Sequence, residues 1–490
     1  MNLLFNGFGT AAVTGLVESF VSAPDGGTVY WIRDNLGEEQ QVSRDGLLVL
    51  DHQEVLQLNP DVVPPVQQEV SWSDELLQCY ARIKPVVLKM QDRLDRYGPA
   101  VSYAQRETTL RKHFNYWLRF LTQRKIEGFI CSNVPHETVD YIVYELCQAL
   151  GIRTVFFYQW TPDVLLPLRR IAQLGEQSTR PVSILGEADV QLLIATEIRI
   201  QKQYETGRER TPFYMQTGIV RRQKQRRERH WIRRALTKVR TDWRRMVSPS
   251  GLRYAWYLLA EKRFLQVRAD RTFAERYAAI ATDTPDLDQP YIYLALHYQP
   301  EATTSPLGGV FVDQYLMVDA LLAAFPEQVQ VYVKEHPAQG LVGRGEGYCE
   351  LFAASPRLHF IASGVSSLRL RQHAVAVATV TGTVGYESIW LGIPVLAFGL
   401  TYYLGGPGVY SVTSVDTARR AATEIMQRSP SKPEGQGRAF TAALLARTLP
   451  ANCDAYYHEN SVLGLAVAHN VRVIGDEIRA QLTAPAPPPL

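Results

Sequence analysis

Short apolar runs alternate with amphipathic stretches in two separate parts of the chain. The opening NLLFNGFG, TAAVTGLVESFVSA and TVYWIRD read as strand, helix and strand. EGFICSN, HETVDYIVYELCQALG and RTVFFYQW repeat the rhythm, with Gly151 closing the helix, and a helical pattern over 73–124 separates the two units. Residues 1–165 are therefore expected to form one α/β, Rossmann-like domain.

From 166 to 284 the apolar strand pattern gives way to polar, Arg-rich helical periodicity, broken at Pro212 and at SPSG (248–251). TDTPDLDQP then reads as a linker, and YIYLALHY begins a second α/β unit over 285–430. There VQVYVKEHP, LHFIAS, AVAVATVTG and IPVLAFG alternate with helical segments. Such Val-rich runs predict a parallel sheet buried on both faces. Residues 431–490 are expected to be helical, with a long helix over 459–482, and to end in a disordered tail, APAPPPL.

Composition narrows the class without naming it. The chain has 490 residues, 46% hydrophobic and 21% charged, near the average for folded globular proteins. No run of about 18 apolar residues predicts a membrane span, and the N-terminus lacks the basic region of a signal peptide, the first cation being Arg33. Five scattered cysteines with no CxxC pair fit reduced thiols and a cytoplasmic setting, with no metal site. The net charge of +3 is unevenly spread: residues 221–245 hold twelve Lys or Arg against Glu228 and Asp242. Interleaved with Trp231 and Trp243, this stretch suits an anionic membrane surface at the inner face of the inner membrane. A solvated helical face is the plainer alternative. No motif for reading DNA or RNA accompanies it, so nucleic acid is not expected as a partner.

In open parallel sheets, ligands bind beyond the carboxyl ends of the strands. Three such ends in the second unit carry chemistry. In TVTGTVGYESIWLG, a strand runs through Thr381, Gly382, Thr383 and Gly385 into a helix carrying Glu387, and backbone N–H groups there favour an anion. The same glycines also suit a plain strand-to-helix turn. VKEHP places Lys334 and His336 before Pro337, either as cations near a phosphate or as a solvated loop cluster. LHYQPE offers His297, Gln299 and Glu301, the last suited to ribose hydroxyls or to a turn.

In the first unit, CSNVPHE sets Asn133, His136 and Glu137 after a strand, where His136 or Glu137 could act as a general base. The turn Gly7-Phe-Gly9-Thr-Ala-Ala12 fits a dinucleotide fingerprint, with Asp34 ending the next strand, so a nicotinamide cofactor is a rival reading. That turn equally suits an acceptor-binding loop. Walker A and Gly-x-Ser-x-Gly patterns are absent.

Taken in order, LHYQPEATTSPLGGVFVDQ, VYVKEHP and TVTGTVGYESIWLGIPVLAFG resemble the capsule polysaccharide biosynthesis family, whose best-known members are Kdo transferases. The resemblance covers about 285–405, and more loosely residues 135–137. It implies a GT-B architecture: two Rossmann-like doubly wound domains facing a cleft, here with the basic helical insertion and a C-terminal helix that crosses back. The second domain would bind a nucleotide-sugar donor, CMP-sugar favoured, and the first a glycan or lipid-linked acceptor. Carried over by position, Lys334, His336 and Pro337 look like the family's His-Pro phosphate motif, and Thr381 to Gly385 like the loop supporting the same phosphate. Glu301 and Glu387 would contact nucleotide or sugar hydroxyls; Gly7, Gly9 and Asn133 would line the acceptor side. No metal and no cofactor is implied beyond the substrate, and capsule-assembly proteins are the expected partners. A nicotinamide-dependent sugar-modifying enzyme and a non-catalytic scaffold in capsule export are the rivals.

Overall fold

The computed structural model describes residues 1–21, 27–33, 45–66, 71–92, 102–176, 185–205, 267–299, 301–337, 339, 344, 347–348, 350, 355–428 and 435–484. The basic stretch 221–245, Asp34 and Pro300 lie outside these residues.

The first domain begins with β1 (Asn2–Asn6), β2 (Val29–Arg33), β3 (Leu47–Asp51) and α1 (His52–Gln57). α2 (Asp74–Met90), α3 (Tyr103–Gln123), β4 (Ile126–Cys131) and α4 (Thr138–Leu150) follow, then β5 (Arg153–Thr161), β6 (Val164–Leu168) and α5 (Glu187–Glu205). The strands align as β3-β2-β1-β4-β5-β6, all parallel except the β5–β6 pair. The sheet therefore runs past residue 165, because β6 folds back on β5 as a hairpin about Asp163. Among the described residues, the helical pattern over 73–124 contains α2 and α3, each with its own serine cap, Ser73 and Ser102. The helix expected after β1 is replaced by two 3-10 turns, Ala11–Val13 and Val17–Phe20, separated by Gly15 at φ +89°. Ala12, Val13, Leu16 and Val17 are buried, so burial of an apolar cluster and not helical continuity explains the pattern.

The second domain comprises α6 (Val267–Ile280), β7 (Tyr291–Ala295), α7 (Tyr315–Ala324), β8 (Gln330–Lys334), β9 (Leu358–Ile361) and α8 (Ser367–His373). It continues with β10 (Ala376–Thr379), α9 (Thr383–Trp390), β11 (Val395–Ala397), β12 (Val409–Ser411) and α10 (Val415–Gln427). Its sheet has the order β12-β11-β10-β7-β8-β9, parallel throughout. Strand order reverses between β1 and β4 in the first sheet and between β7 and β10 in the second, so each sheet has one switch point.

The chain then returns. After α11 (Gln436–Leu445), Leu449 exchanges both backbone hydrogen bonds with Leu165 at 2.9 and 2.7 Å. Past α12 (Ala455–Glu459), α13 (Val467–Thr483) covers the first sheet with Val473, Ile474, Ile478 and Leu482. Gly128 on β4 is needed for this approach, since a Cβ there would lie 2.7 Å from a Leu482 methyl. The other face is filled by Phe114, Trp117 and Phe120 of α3. Among the described residues, no helix is long and apolar enough to cross a membrane.

The carboxyl edges of the two sheets meet. Trp160, at the end of β5, stacks on Tyr402, which follows β11, at 4.9 Å and 17°. Tyr204 of α5 stacks on Trp390 of α9 at 5.6 Å. The ends of the parallel strands of both domains thus flank one junction, which fits a two-domain Rossmann-like GT-B arrangement.

Candidate functional site

At the second switch point, β7 delivers His297 and β10 delivers Thr379 and Thr381. His297 is buried, and its Nε2 accepts the Thr381 N–H at 3.1 Å while lying 3.0 Å from the Thr379 hydroxyl. Accepting at Nε2 requires a neutral ring protonated on Nδ1. Burial, assisted by His336 and the Arg344 guanidinium, pushes the imidazole down to about 3. Thr381 also donates its hydroxyl to the Thr303 carbonyl at 2.9 Å, joining the first and third sequence blocks directly.

Beyond this join, Gly382 caps α9. A Cβ on Gly382 would sit 2.7 Å from the Thr379 hydroxyl and 3.2 Å from His297 Nε2, so glycine is what allows the turn to close. The Gly382 N–H points to Thr379 Oγ1 at 3.3 Å and the Gly385 N–H to the Gly382 carbonyl at 2.9 Å. Thr383 and Val384 are the first two residues of α9, whose N–H groups have no carbonyl one turn back. Both are partly exposed. With the helix dipole behind them, these two N–H groups have no partner among the described residues and can receive an anion.

Gly385 has a different job from the one its position implied. Its missing Cβ leaves room for Tyr403, whose hydroxyl would otherwise be 2.5 Å away and which donates to the Gly382 carbonyl at 2.6 Å. It holds the turn from behind. Glu387 is paired with Arg371 of α8 at 2.5 Å, a partner the sequence pattern did not suggest.

The β8 end divides the roles of KEHP. Lys334 is buried, its ammonium bonded to the Val365 carbonyl and, at 3.0 Å, to the Ser367 hydroxyl, so it secures the start of α8. His336 and Pro337 stand further out, with the His336 ring 5.5 Å from that of Tyr298. Glu335, passed over in the sequence, is buried against Arg344 at 2.7 Å. Glu301 has an exposed side chain, and its carbonyl accepts from Thr304 and Ser305 at 3.1 and 2.9 Å, a turn role.

In the first domain, His136 Nδ1 lies 2.6 Å from the Val134 carbonyl and so donates to it. That bond sets Nε2 as the basic nitrogen. Glu137 is paired with His52 at 3.3 Å and is itself 44% exposed. Asp140, missed in the sequence, accepts the His136 and Glu137 N–H groups at 3.2 and 2.7 Å, and burial next to Glu137 pushes its carboxyl up to about 8. Asn133 folds onto its own turn, accepting the Val134 N–H at 2.8 Å.

Gly7 sits at φ +86° with Ser132 against it, a Cβ there being 2.0 Å from the Ser132 hydroxyl. Gly9 lies beside Arg33. No α-helix starts after this turn, so the helix N-terminus that would hold a dinucleotide's pyrophosphate is missing from the nicotinamide reading. Among the described residues, no group of three His, Cys, Asp or Glu is placed to hold a metal ion.

Comparison with known proteins agrees with the sequence blocks. Residues 303–433 match the family model described as capsule polysaccharide biosynthesis protein. The capsule polysaccharide modification protein LipA of Neisseria meningitidis serogroup B is 30% identical over 149 residues, covering 29% of this chain and 19% of LipA. The chain thus matches about a fifth of that relative's length. Of solved structures, Thermosulfurimonas dismutans KpsC, beta Kdo 2,4 transferase, is 12% identical with a TM-score of 0.28, over 65% of this chain and 79% of that one. The UDP-GlcNAc 2-epimerase of Methanocaldococcus jannaschii is 8% identical with a TM-score of 0.25, over 89% and 97%. The matched segment, running from Thr303 through β10 and the α9 turn, is therefore the part of this chain that resembles the capsule polysaccharide biosynthesis family, with β7 and His297 lying just before it.

Proposed function

We propose that the chain is a GT-B glycosyltransferase of bacterial capsular or surface polysaccharide synthesis, moving a sugar from a nucleotide-activated donor, CMP-sugar favoured, to a glycan or lipid-linked acceptor. One observation carries this reading. His297, just before the family-matched segment, and Thr381 within it lock two strand ends together, and the Thr383 and Val384 N–H groups stand at the helix start with no carbonyl one turn back. That is where a leaving phosphate gains most from oriented dipoles.

In the proposed reaction the acceptor hydroxyl attacks the anomeric carbon as the bond to the donor phosphate breaks. The displaced nucleotide carries the electron pair away, its charge held by the α9 amides and by His336. The reaction is written without a metal or cofactor. His136, whose Nδ1 is held by the Val134 carbonyl, would take the acceptor proton on its other ring nitrogen, and Glu137 would steady it through the shared turn. Gly7, Gly9 and Asn133 would border the acceptor. The Arg-rich stretch 221–245 supports docking on an anionic membrane surface, where a lipid-linked acceptor would reside.

The test is nucleotide release. The full chain is incubated with CMP-, UDP- and GDP-sugars and capsule oligosaccharide acceptors, and free nucleotide is followed. Acceptor-dependent release of one nucleotide, reduced at least tenfold by His336→Ala, is expected. Release of no nucleotide in the presence of acceptor, with polymer binding retained, would instead favour the scaffold reading.

A further inference from the structure

The buried ion pair between Glu335 and Arg344 reaches further than a pair needs to. The Arg344 side chain is 2% exposed and grips both Glu335 oxygens, Nε to Oε2 at 2.8 Å and Nη2 to Oε1 at 2.7 Å. The rest of its fork crosses to the neighbouring strand end: Nη2 donates to the His297 carbonyl and Nη1 to Gln299 Oε1, each at 2.5 Å. On the far side, Glu335 accepts the His336 N–H at 2.7 Å and the Tyr348 hydroxyl at 3.2 Å.

The two loops so joined are also cross-linked by Gln339, which accepts the Gln299 N–H at 2.8 Å and whose own N–H donates to the His336 carbonyl at 2.9 Å. His297 passes the restraint on through Nε2 to the Thr381 N–H. One guanidinium thus connects the ends of β8 and β7, and through His297 that of β10. Taking two charges out of water is costly, and a well-packed apolar pair often serves stability as well. A planar fork differs from such a pair in fixing direction: it sets the relative placement of two backbone segments.

We propose that Arg344 is a positioning residue of the nucleotide site: without touching the ligand, it fixes His336 through Glu335, and the Thr381–Val384 turn through His297, in the geometry that receives the donor phosphate. The proposal rests on the nucleotide-binding reading above, and its test separates the two.

Three full-length variants are compared with the unaltered chain: Arg344→Lys, Arg344→Met, and the double variant Glu335→Leu with Arg344→Met, which removes both charges. Melting temperature, amide hydrogen exchange without ligand, and the dissociation constant for CMP are measured on each. In the double variant the melting temperature should stay within a few degrees. Exchange at residues 297–299, 336, 339 and 381–384 should rise, and CMP affinity should fall at least about tenfold. Arg344→Lys, which keeps the charge and loses the fork, should restore less than half of the affinity in logarithmic terms.

Unchanged exchange and affinity in a folded double variant would overturn the proposal. If the double variant does not fold, Arg344→Lys decides alone, since normal exchange at Thr381 in that variant has the same consequence. Failure of the unaltered chain to bind any nucleotide would overturn the site reading, while the exchange data still report whether Arg344 orders the three strand ends.

Discussion

The two switch points of this molecule are built alike and finished differently. In the first sheet the chain itself occupies the carboxyl edge. The Thr10 hydroxyl donates to the Cys453 carbonyl at 2.9 Å, the Cys453 thiol lies 3.1 Å from the Ser132 carbonyl, and Ser132 packs against Gly7. Nearby, Asp163 in the β5–β6 turn is fully buried and accepts from Asn452, Ser461, Val462 and Leu463 of the returning segment. In the second sheet, donors and acceptors also pair closely, yet among the described residues the pairing stops short of Thr383 and Val384. The difference teaches that a Gly-rich turn after a strand does not define a phosphate site. What matters is whether a helix follows and whether its first amides are left over.

The contrast can be broken first where the effect is largest. Asp163→Ala strips the shared acceptor from the returning segment, leaving several buried donors unpaired, and should cost on the order of 4 kcal/mol of stability. Nucleotide affinity of the folded fraction should not change. Urea melts paired with CMP titration check both halves, and a parallel loss of affinity would show that the two edges are not independent.

Gly7→Ala comes next. The new methyl meets Ser132 at a left-handed backbone position, so a destabilisation of about 2–3 kcal/mol is expected in the same melts. Since this turn is assigned to the acceptor side, KM for acceptor should rise while CMP binding holds.

The smallest effect concerns pH. His297 is held near 3 in the folded state against an ordinary value of about 6.5. The folded state therefore keeps the ring neutral while the unfolded chain takes up a proton below about 6.5. Its contribution is fully present above that value and is lost as pH falls toward 3, at up to about 1.4 kcal/mol per pH unit. His297→Gln supplies an acceptor for Thr381 that does not titrate. Its stability deficit at pH 7 should shrink by about 2 kcal/mol at pH 5, as followed by denaturant melts at each pH. A constant deficit would mean that the ring is not the titrating group.

Much of this was legible in the sequence because strand-end chemistry is local. The apolar runs located β7, β8 and β10, and Thr381, Gly382 and Thr383 fell where a strand meets a helix. The returning C-terminal helix was also visible as a long periodic segment, although α13 begins at Val467, later than the pattern suggested. What remained hidden depends on distance in the chain. Arg344 and Arg371 carry no motif, and their roles exist only because folding brings them to Glu335 and Glu387. Lys334 and Gly385 lay in the right motifs, but their neighbours Ser367 and Tyr403 commit them to holding the frame. At the first turn the sequence resembled a dinucleotide fingerprint because glycine spacing reports backbone shape, whereas ligand binding needs the helix that Gly15 and the buried apolar cluster replace.

The central claim is that the leftover amides of α9 hold a nucleotide phosphate. Proline is tolerated at the first position of a helix, and Gly382 at φ −66°, ψ 148° already has the conformation that precedes proline. Thr383→Pro therefore removes the Thr383 N–H and hydroxyl while keeping the helix, and Thr383→Val removes the hydroxyl alone. Isothermal titration of CMP into the full chain and both variants, at matched melting temperatures, isolates the amide. An affinity at least about tenfold weaker for Thr383→Pro than for Thr383→Val is the result predicted. Equal affinities for the two would contradict it.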